Sequence, residues 1–147
     1  MISITKTDWQ TSETALRKLR ETVFMQEQHV SAADEWDGKD DNAIHYLVTA
    51  EGQAIGCARL LMDGNTKDGY TGKIGRVAIL PAWRRQHIAT KLLQFIINNA
   101  RETGLHTLSL DAQTTVTGLY KKLGFTAYGD TFMDAGILHQ GMSLQLE

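Results

Sequence analysis

The stretch of sequence that decides the fold is residues 74–93, which read IGRVAILPAWRRQHIATKLL. Residues 74–80 are apolar on both alternating faces except at Gly75 and Arg76, as in a central strand that helices cover on both sides. Pro81 ends this strand because proline cannot continue a ladder of backbone hydrogen bonds. The stretch therefore begins with a buried strand that leads into a tight loop.

A helix is predicted after the loop. Its apolar residues form two i, i+4 rows on one face, Ile88, Leu92, Ile96 and Ala100 in one row and Ala89, Leu93 and Ile97 in the other. Gly104 stands just past the expected end of the helix. Arg84 and Arg85 lie in the loop, so free backbone N–H groups and two guanidinium groups would meet at one spot that suits a phosphate. The alternative is an ordinary turn of an α/β protein with solvated arginines.

The loop and the first helical residues are Arg84, Arg85, Gln86, His87, Ile88 and Ala89. They resemble the signature Gln/Arg-x-x-Gly-x-Gly/Ala of the GNAT family of acyl-CoA-dependent N-acetyltransferases. A second segment, residues 120–125, reads YKKLGF and resembles the family's Tyr-x-x-Leu-Gly-Phe near the C-terminus. The two motifs together are much more specific than either alone. His87 departs from the pattern, because a glycine is usual there and a Cβ limits a positive φ.

The resemblance implies a GNAT-like fold. This is a mixed α/β domain with a mostly antiparallel sheet of about six or seven strands, about four flanking helices and a splay between strands 4 and 5. The implied activity is transfer of an acetyl group from acetyl-CoA, the co-substrate, to a primary amine of a small molecule or peptide by direct attack in a ternary complex. Relatives often dimerise, so the resemblance also allows a homodimer.

The resemblance assigns binding and catalytic residues as well. In the family, the loop amides hold the pyrophosphate of coenzyme A, and a bulge in the fourth strand leaves amides free for the thioester and the pantetheine arm. The residues implied to bind acetyl-CoA are thus the six above together with Val77, Ala78, Ile79 and Gln113. Tyr120 matches the family's tyrosine near the thioester sulfur and is the implied proton donor. Its alternative role is packing, with a hydrogen-bonded hydroxyl.

Length and composition limit the other possibilities. The 147 residues, 42% apolar and 22% charged, predict one globular domain over residues 1–147. A net charge of −2 argues against a nucleic acid partner. No apolar run approaches the roughly 20 residues of a membrane span, and residues 1–5 lack the features of a signal peptide. The single cysteine, Cys57, cannot form an internal disulfide, which favours a reducing cytoplasm.

The remaining elements follow from periodicity and turn residues. A helix capped by Thr11 or Ser12 is expected to run to about Phe24, and residues 23–30 predict a bent helix end or a second short helix. That region contains Val-Phe-x-x-Glu-Gln, which together with the following acidic stretch and His45 resembles one branch of the family. A shorter helix is expected at residues 114–123. Strands are expected at residues 2–5, 44–50, 54–62, 74–80, 106–111, 125–128 and 137–146, and loops at residues 63–72 and 129–136.

The reaction needs a base, because an alkylammonium must lose a proton before its nitrogen can attack a thioester. Some relatives place a glutamate at the position of Gly75, so that solution is absent. Five carboxylates within residues 34–41 form either a solvated loop or an acceptor-binding wall in which Glu35 accepts the proton. The candidate bases are Glu27, Glu35, His45 and His139, of which Glu35 and His45 join Tyr120 in the predicted catalytic set.

Two other functions remain as alternatives. A non-catalytic acyl-CoA-binding or sensing module would keep the phosphate-binding loop and need neither base nor acid. A nucleoside triphosphatase is a distant third, because the loop lacks Gly-Lys-Ser/Thr. The histidines show no His-x-x-x-His or His-x-Glu spacing, so the sequence predicts no metal.

Overall fold

Seven strands form one sheet in the computed structural model of the chain, which describes residues 1–66 and 69–146. The strands are β1 (Ile2–Thr7), β2 (Ile44–Ala50), β3 (Gln53–Thr66), β4 (Gly69–Ile79), β5 (Thr107–Gln113), β6 (Thr126–Asp134) and β7 (Ile137–Gln145). Their order across the sheet is β1-β2-β3-β4-β5-β7-β6. The pair of β4 and β5 is parallel and the other neighbouring pairs are antiparallel, which confirms the predicted mixed α/β class.

Four α-helices flank the sheet within the described ranges, and they are α1 (Trp9–Arg20), α2 (Ala32–Glu35), α3 (Ile88–Glu102) and α4 (Thr117–Lys122). The predicted caps Thr11 and Ser12 are wrong, because α1 starts earlier and the Asp8 side chain accepts a hydrogen bond of 2.8 Å from the Thr11 amide. The predicted helix to Phe24 changes type after Arg20. A π-helical segment, Glu21–Glu27, continues α1 directly, so there is no separate second helix at residues 23–27.

The two faces of the sheet carry separate apolar clusters. On one face, α3 buries both of its predicted rows against β2, β3, β4 and β5, with Leu92, Leu93 and Ile96 fully buried. On the other face, Trp9, Leu16 and Leu19 of α1 pack around Cys57. Covering both faces of the central strands removes their apolar side chains from water, which stabilises the fold by about 1.5–3 kcal/mol per large side chain. Helices on both sides of β4 match the pattern of residues 74–80.

The strands β4 and β5 separate halfway along their length. Their parallel pairing begins at Thr71 and Thr107 and ends at Ile74 and Leu110. Beyond that point the two strands diverge, which confirms the predicted splay. A bulge follows in β4, where Arg76 and Val77 both lie opposite Ala58 of β3 and Arg76 has a φ of 55°. The backbone of β4 next to the splay therefore has no strand partner on its β5 side.

Two predicted loops are wrong. Residues 63–72 form the end of β3 and the start of β4, apart from residues 67 and 68, which lie outside the described residues. Residues 129–136 belong mostly to β6, an edge strand that pairs with β7 and whose nine residues are all exposed. Glycine, aspartate and asparagine in these segments suggested turns, but backbone pairing with a neighbouring strand overrides that local preference. The acidic stretch, expected to be a loop, begins within the short helix α2, whose last two residues are Asp34 and Glu35.

Candidate active site

The splay opens into a cleft of about 770 Å³ that both arms of the sheet line. The backbone and side chains of residues 74–79 form one wall, and residues 110–113 form the other. The N-terminus of α3 and the ring of Tyr120 belong to the same cleft. On the face that carries α1, the rim includes Gln28, Glu35 and His139. One continuous space thus joins the predicted phosphate-binding loop to the middle of the sheet.

The N-terminus of α3 offers free donors to this cleft. His87 is its N-cap, no side chain caps it and its first turn carries no acidic residue. Within the described residues, no hydrogen bond is found to the amides of Ile88, Ala89 and Thr90. Exposed N–H groups at a helix start attract an anion, since the helix dipole adds a partial positive charge there. The donor set therefore suits a diphosphate.

His87 adopts the left-handed conformation that a glycine would take, with φ 62° and ψ 21°. The side chain is exposed, so its Cβ does not prevent the turn. Neighbouring Arg85 also has a positive φ of 64°. Such a conformation costs an L-residue about 1–2 kcal/mol. The loop therefore has the backbone geometry of a glycine turn, and His87 is strained in it.

Replacing His87 by glycine should relieve this strain. We expect His87→Gly to raise the free energy of unfolding by up to about 1 kcal/mol, because the relief exceeds the added entropy of the unfolded chain. Urea denaturation measures the change. The matched control is His106→Gly, an exposed histidine without a positive φ, where the same substitution should cost about 0.5–1 kcal/mol. Equal losses in both variants would contradict the prediction.

Arg84 and Arg85 have different surroundings. The Arg84 guanidinium donates two hydrogen bonds of 2.6 Å to the Glu27 carboxylate, and its Nε donates to the Ile79 carbonyl at 2.9 Å. These bonds lower the pKa of Glu27, so this candidate base is a poor proton acceptor. Arg84 thus ties the loop to the π-helical segment. The exposed Arg85 makes no ion pair among the described residues, so it is the arginine of this loop available to a phosphate.

Tyr120 lines the cleft from α4 and is 6% exposed. Its ring packs edge-on against Phe125 with the centroids 5.9 Å apart. Burial raises the pKa of Tyr120 to about 12, so the phenol stays protonated at neutral pH. Among the described residues, no protein group is found within hydrogen-bonding distance of its hydroxyl. A protonated phenol without a protein partner is available to a ligand in the cleft.

Glu35 lies at the rim of the cleft but its carboxylate is already engaged. It is 2% exposed, and its Oε2 accepts hydrogen bonds from Arg20 Nε at 2.6 Å and from Arg76 Nε at 3.0 Å. Two guanidinium groups already donate to this one oxygen, so the carboxylate is engaged in holding arginines. This geometry argues against Glu35 as the general base. It gives Glu35 a positioning role, since its backbone carbonyl and carboxylate together hold the bulge residue Arg76.

Three arginines and three carboxylates form the ion network around Glu35, hereafter the buried network. Its members are Arg20, Arg59, Arg76, Glu35, Asp37 and Asp40. The formal charges balance, and every buried side-chain nitrogen and oxygen of the described residues has a partner except Arg59 Nε. Charges buried in this way are stable only when they are paired and hydrogen-bonded. The network fastens the acidic stretch against the sheet beside the cleft.

His45 is buried behind the network and does not line the cleft. Its Nε2 lies 3.0 Å from the Asp40 carbonyl and its ring lies 5.4 Å from the ring of Trp9. Burial lowers the pKa of His45, although Asp40 opposes this effect. Of the predicted catalytic set, the cleft therefore brings together Tyr120 and Glu35 but not His45.

The pKa shifts of Asp37 and His45 predict that the protein loses stability in acid. Burial alone would raise the pKa of Asp37, but hydrogen bonds from Arg59 and the Lys39 amide outweigh it and lower the pKa to about 2. A depressed carboxylate pKa gives stability that is present above about pH 4 and is lost as the pH falls towards 2. His45 adds a loss that begins below about pH 6.5, because its lowered pKa means that the unfolded chain binds this proton more readily than the folded chain does.

Urea denaturation between pH 8 and pH 2.5 measures this loss, which we expect to be on the order of 1 kcal/mol for Asp37 alone, because solvent screens the charges of an exposed residue. The variant Asp37→Asn should be less stable at pH 7 and should lose less stability below pH 4. An unchanged slope below pH 4 in Asp37→Asn would contradict the assignment.

Several cleft residues were not foreseen from the sequence. Gln28 accepts a hydrogen bond of 2.9 Å from the predicted cofactor residue Gln113 and so links α1's π-helical extension to β5. Lys73 and Asp111 form an ion pair of 2.8 Å at the point where β4 and β5 separate. The sequence held a signal for this pair, because Lys73 and Asp111 each lie next to an apolar strand segment. At Gly75, a Cβ would meet nothing within 4 Å, so the cleft is open there.

Within the described ranges, no group of three histidine, cysteine, aspartate or glutamate side chains could hold a metal ion. None of the helices in those ranges has the length and apolar character that a membrane crossing requires.

Comparison with known proteins identifies the family. Residues 10–146 match the family model of the acetyltransferase (GNAT) domain. The chain is 34% identical over 132 residues to Bacillus subtilis YyaT, covering 88% of this chain and 86% of that one. It is 33% identical over 125 residues to the N-acetyltransferase YjcF of the same organism, covering 84% and 86%. An acyl-CoA N-acyltransferase structure from Pseudomonas aeruginosa matches with a TM-score of 0.83 and 27% identity, covering 97% and 99%. The chain therefore belongs to the GNAT family of acetyltransferases and is an acyltransferase.

Proposed function

We propose that this chain transfers an acetyl group from acetyl-CoA to a primary amine of a small molecule or peptide, by direct attack in a ternary complex. The observation that carries the proposal is the cleft between β4 and β5, which is lined both by the free N-terminus of α3 and by Tyr120. The name of the Pseudomonas aeruginosa relative as an acyl-CoA N-acyltransferase supports an acyl-CoA as the donor.

In this proposal the α3 end of the cleft holds the diphosphate. The amides around Gln86, His87, Ile88 and Ala89 donate to its oxygens, and Arg85 supplies a positive charge. Arg84 acts indirectly by fixing the loop to Glu27. Gln113 contacts the pantetheine arm from β5, for which its present bond to Gln28 must open or adjust.

The bulge in β4 serves the thioester. Acetyl-CoA supplies the acyl group as a thioester whose carbonyl carbon the amine attacks. Attack leaves negative charge on the carbonyl oxygen, and unpaired backbone N–H groups among Val77, Ala78 and Ile79 stabilise it. Groups that point towards β5 are free because β4 no longer pairs with β5 beyond Ile74.

Tyr120 protonates the departing sulfur. A phenol whose pKa is about 12 cannot give up its proton to a thiolate unaided, since the thiol pKa is about 8.5 and the gap costs about 5 kcal/mol. The transfer becomes feasible when the tyrosine oxygen receives a proton from the acetylated nitrogen at the same time. Tyr120 then relays a proton from nitrogen to sulfur and no free phenolate accumulates.

Binding and turnover together test the proposal. A thermal-shift assay with CoA should raise the melting temperature, because a ligand that binds only the folded state stabilises it. A panel of primary amines with acetyl-CoA should then show thioester consumption and an acetylated product. CoA binding without turnover on any amine would favour the non-catalytic acyl-CoA-binding module instead.

The proposal extends to assembly and location. Exposed apolar side chains of the β6 and β7 region support a homodimer, and they are Tyr128, Phe132, Met133 and Leu138. Sedimentation of the 16.4 kDa chain distinguishes monomer from dimer. The proposed location is the cytoplasm, which is consistent with a reduced Cys57, because burial raises the pKa of that thiol to about 12.

A further inference from the structure

His139 lies on β7 at the rim of the cleft. It pairs with Gln113 of β5, and opposite residues of an antiparallel pair direct their side chains to the same face of the sheet. The imidazole is half-buried and stacks on Phe132, with the ring centroids 6.0 Å apart and the planes 23° apart. Its ring is thus held in place next to the space that an acceptor would enter.

A hydrogen bond fixes the position of the proton on this ring. His139 Nδ1 lies 2.7 Å from the Ile137 carbonyl oxygen. A carbonyl oxygen can only accept, so Nδ1 must carry the hydrogen. In the neutral imidazole the lone pair then belongs to Nε2, and no hydrogen bond to Nε2 is found among the described residues. The backbone therefore presents His139 as a proton acceptor, the arrangement by which a carbonyl orients a catalytic base.

We propose that His139 is the general base of the acetyl transfer, an inference that rests on the proposed function. Nε2 takes one proton from the acceptor ammonium, and the neutral nitrogen forms a bond to the thioester carbonyl carbon. The carbon–sulfur bond then breaks. The second proton of that nitrogen passes through the Tyr120 oxygen to the sulfur, and the His139 imidazolium releases its proton to water. Ammonium and acetyl-CoA thus give amide, CoA and one proton.

The other titratable groups near the cleft are less suited to this step. Glu27 and Glu35 are held by arginines, and His45 lies outside the cleft. Asp111 faces the same side of the sheet as His139, but Lys73 already pairs with it at 2.8 Å. The remaining charged groups that line the cleft on this side are Asp34, Asp37, Lys39, Arg59, Arg76 and Asp134. Asp37 is paired with Arg59, and Asp34, Lys39 and Asp134 lie on exposed segments.

The test uses His139→Gln with the best acceptor from the amine panel, and kcat/KM is measured from pH 6 to pH 10. At pH 7 the kcat/KM of the variant should be about 10²–10⁴-fold lower than that of the wild type, which is the usual contribution of a general base. The loss should shrink towards pH 10, because an alkylamine with a pKa of about 10 then deprotonates without help. A residue with a merely structural role would lower the rate by the same factor at every pH.

Two variants serve as controls. His106→Gln changes an exposed histidine just before β5, outside the cleft, and should keep the wild-type profile. Asp111→Asn should not show a loss of kcat/KM that is large at pH 7 and disappears towards pH 10. Should Asp111→Asn show it while His139→Gln does not, Asp111 is the base and the inference is overturned. If His139→Gln unfolds, His139→Ala is assayed with added free imidazole, which should restore part of kcat/KM below pH 9. If imidazole does not restore kcat/KM, His139 is not the general base.

A spectroscopic measurement is independent of turnover. In the neutral imidazole of His139, nitrogen-15 shifts should report a protonated Nδ1 and an unprotonated Nε2, and the opposite tautomer overturns the inference. If the wild-type protein acetylates no amine, both the proposed function and this inference are wrong. Wild-type turnover with a pH-independent effect of His139→Gln removes this inference alone.

Discussion

Removing the Glu35 side chain should destabilise the protein by about 3 kcal/mol, the lower end of the cost of breaking a buried ion pair, because Glu35→Ala leaves the buried Arg20 with Asp40 alone and the half-buried Arg76 with Asp37 alone. Arg20 is 1% exposed and donates to Glu35 at 2.6 Å, while Arg76 donates to the same oxygen at 3.0 Å. Domains of this size are stable by about 5–15 kcal/mol in total. The loss is therefore large enough to leave a measurable unfolded population.

Urea denaturation of Glu35→Ala tests this expectation, with Glu13→Ala as the matched control. Glu13 also pairs with an arginine, Arg17, at 2.7 Å, but both side chains are more than 40% exposed. An exposed i, i+4 pair contributes only about 0.3–0.5 kcal/mol. If Glu35→Ala proves too unstable to purify, Glu35→Gln keeps the size of the side chain and removes only its charge. Similar losses for Glu35 and Glu13 would show that the buried network does not stabilise the fold.

The local elements of residues 74–93 could be predicted because their signals are local. A change from period 2 to period 3.6 marks the passage from β4 to α3, and both apolar rows of α3 are buried as expected. The arrangement of the site was harder to predict, since it depends on contacts between residues that are far apart in the sequence. Arg84 and Glu27 are 57 positions apart, and no spacing rule predicts that they pair. Of the two arginines that the sequence proposed for a phosphate, Arg84 is paired with Glu27 and Arg85 is not.

The buried network left a signal in the sequence that could have been used. Arg59 and Arg76 each interrupt an apolar strand, at positions where burial would be expected. Buried arginines need carboxylates, and five of them lie within residues 34–41. Combining the two observations would have predicted a buried ion network and not a solvated acidic loop. It would also have removed Glu35 from the candidate bases.

Only the start of β6 could be predicted, as the strand expected at residues 125–128, and its extension to Asp134 could not. Its segment 126–134 contains glycine and two aspartates and is exposed on both faces, so it has no alternating pattern of apolar residues. Backbone pairing with β7 alone makes it a strand. That pairing matters for the site, because β6 supplies Phe132, which stacks on His139.

Replacing Tyr120 by phenylalanine should lower kcat by about 10²-fold while the KM for acetyl-CoA stays unchanged. The reason is that only the hydroxyl takes part in relaying a proton to the leaving sulfur, whereas the ring supports packing against Phe125. Phenylalanine keeps that ring, so the fold should lose little stability. Steady-state rates with acetyl-CoA and the best amine give kcat and KM separately, and urea denaturation gives the stability.

Tyr46→Phe is the matched control, because burial also raises the pKa of Tyr46 to about 12. Its hydroxyl donates to Asn99 at 2.9 Å beneath α3 and does not line the cleft. Losing that bond should cost about 1 kcal/mol of stability and leave kcat unchanged. The two tyrosines thus share a raised pKa and differ in whether the hydroxyl reaches the cleft. A wild-type kcat in Tyr120→Phe would exclude the hydroxyl from the reaction, and an equal loss in Tyr46→Phe would assign the effect to packing.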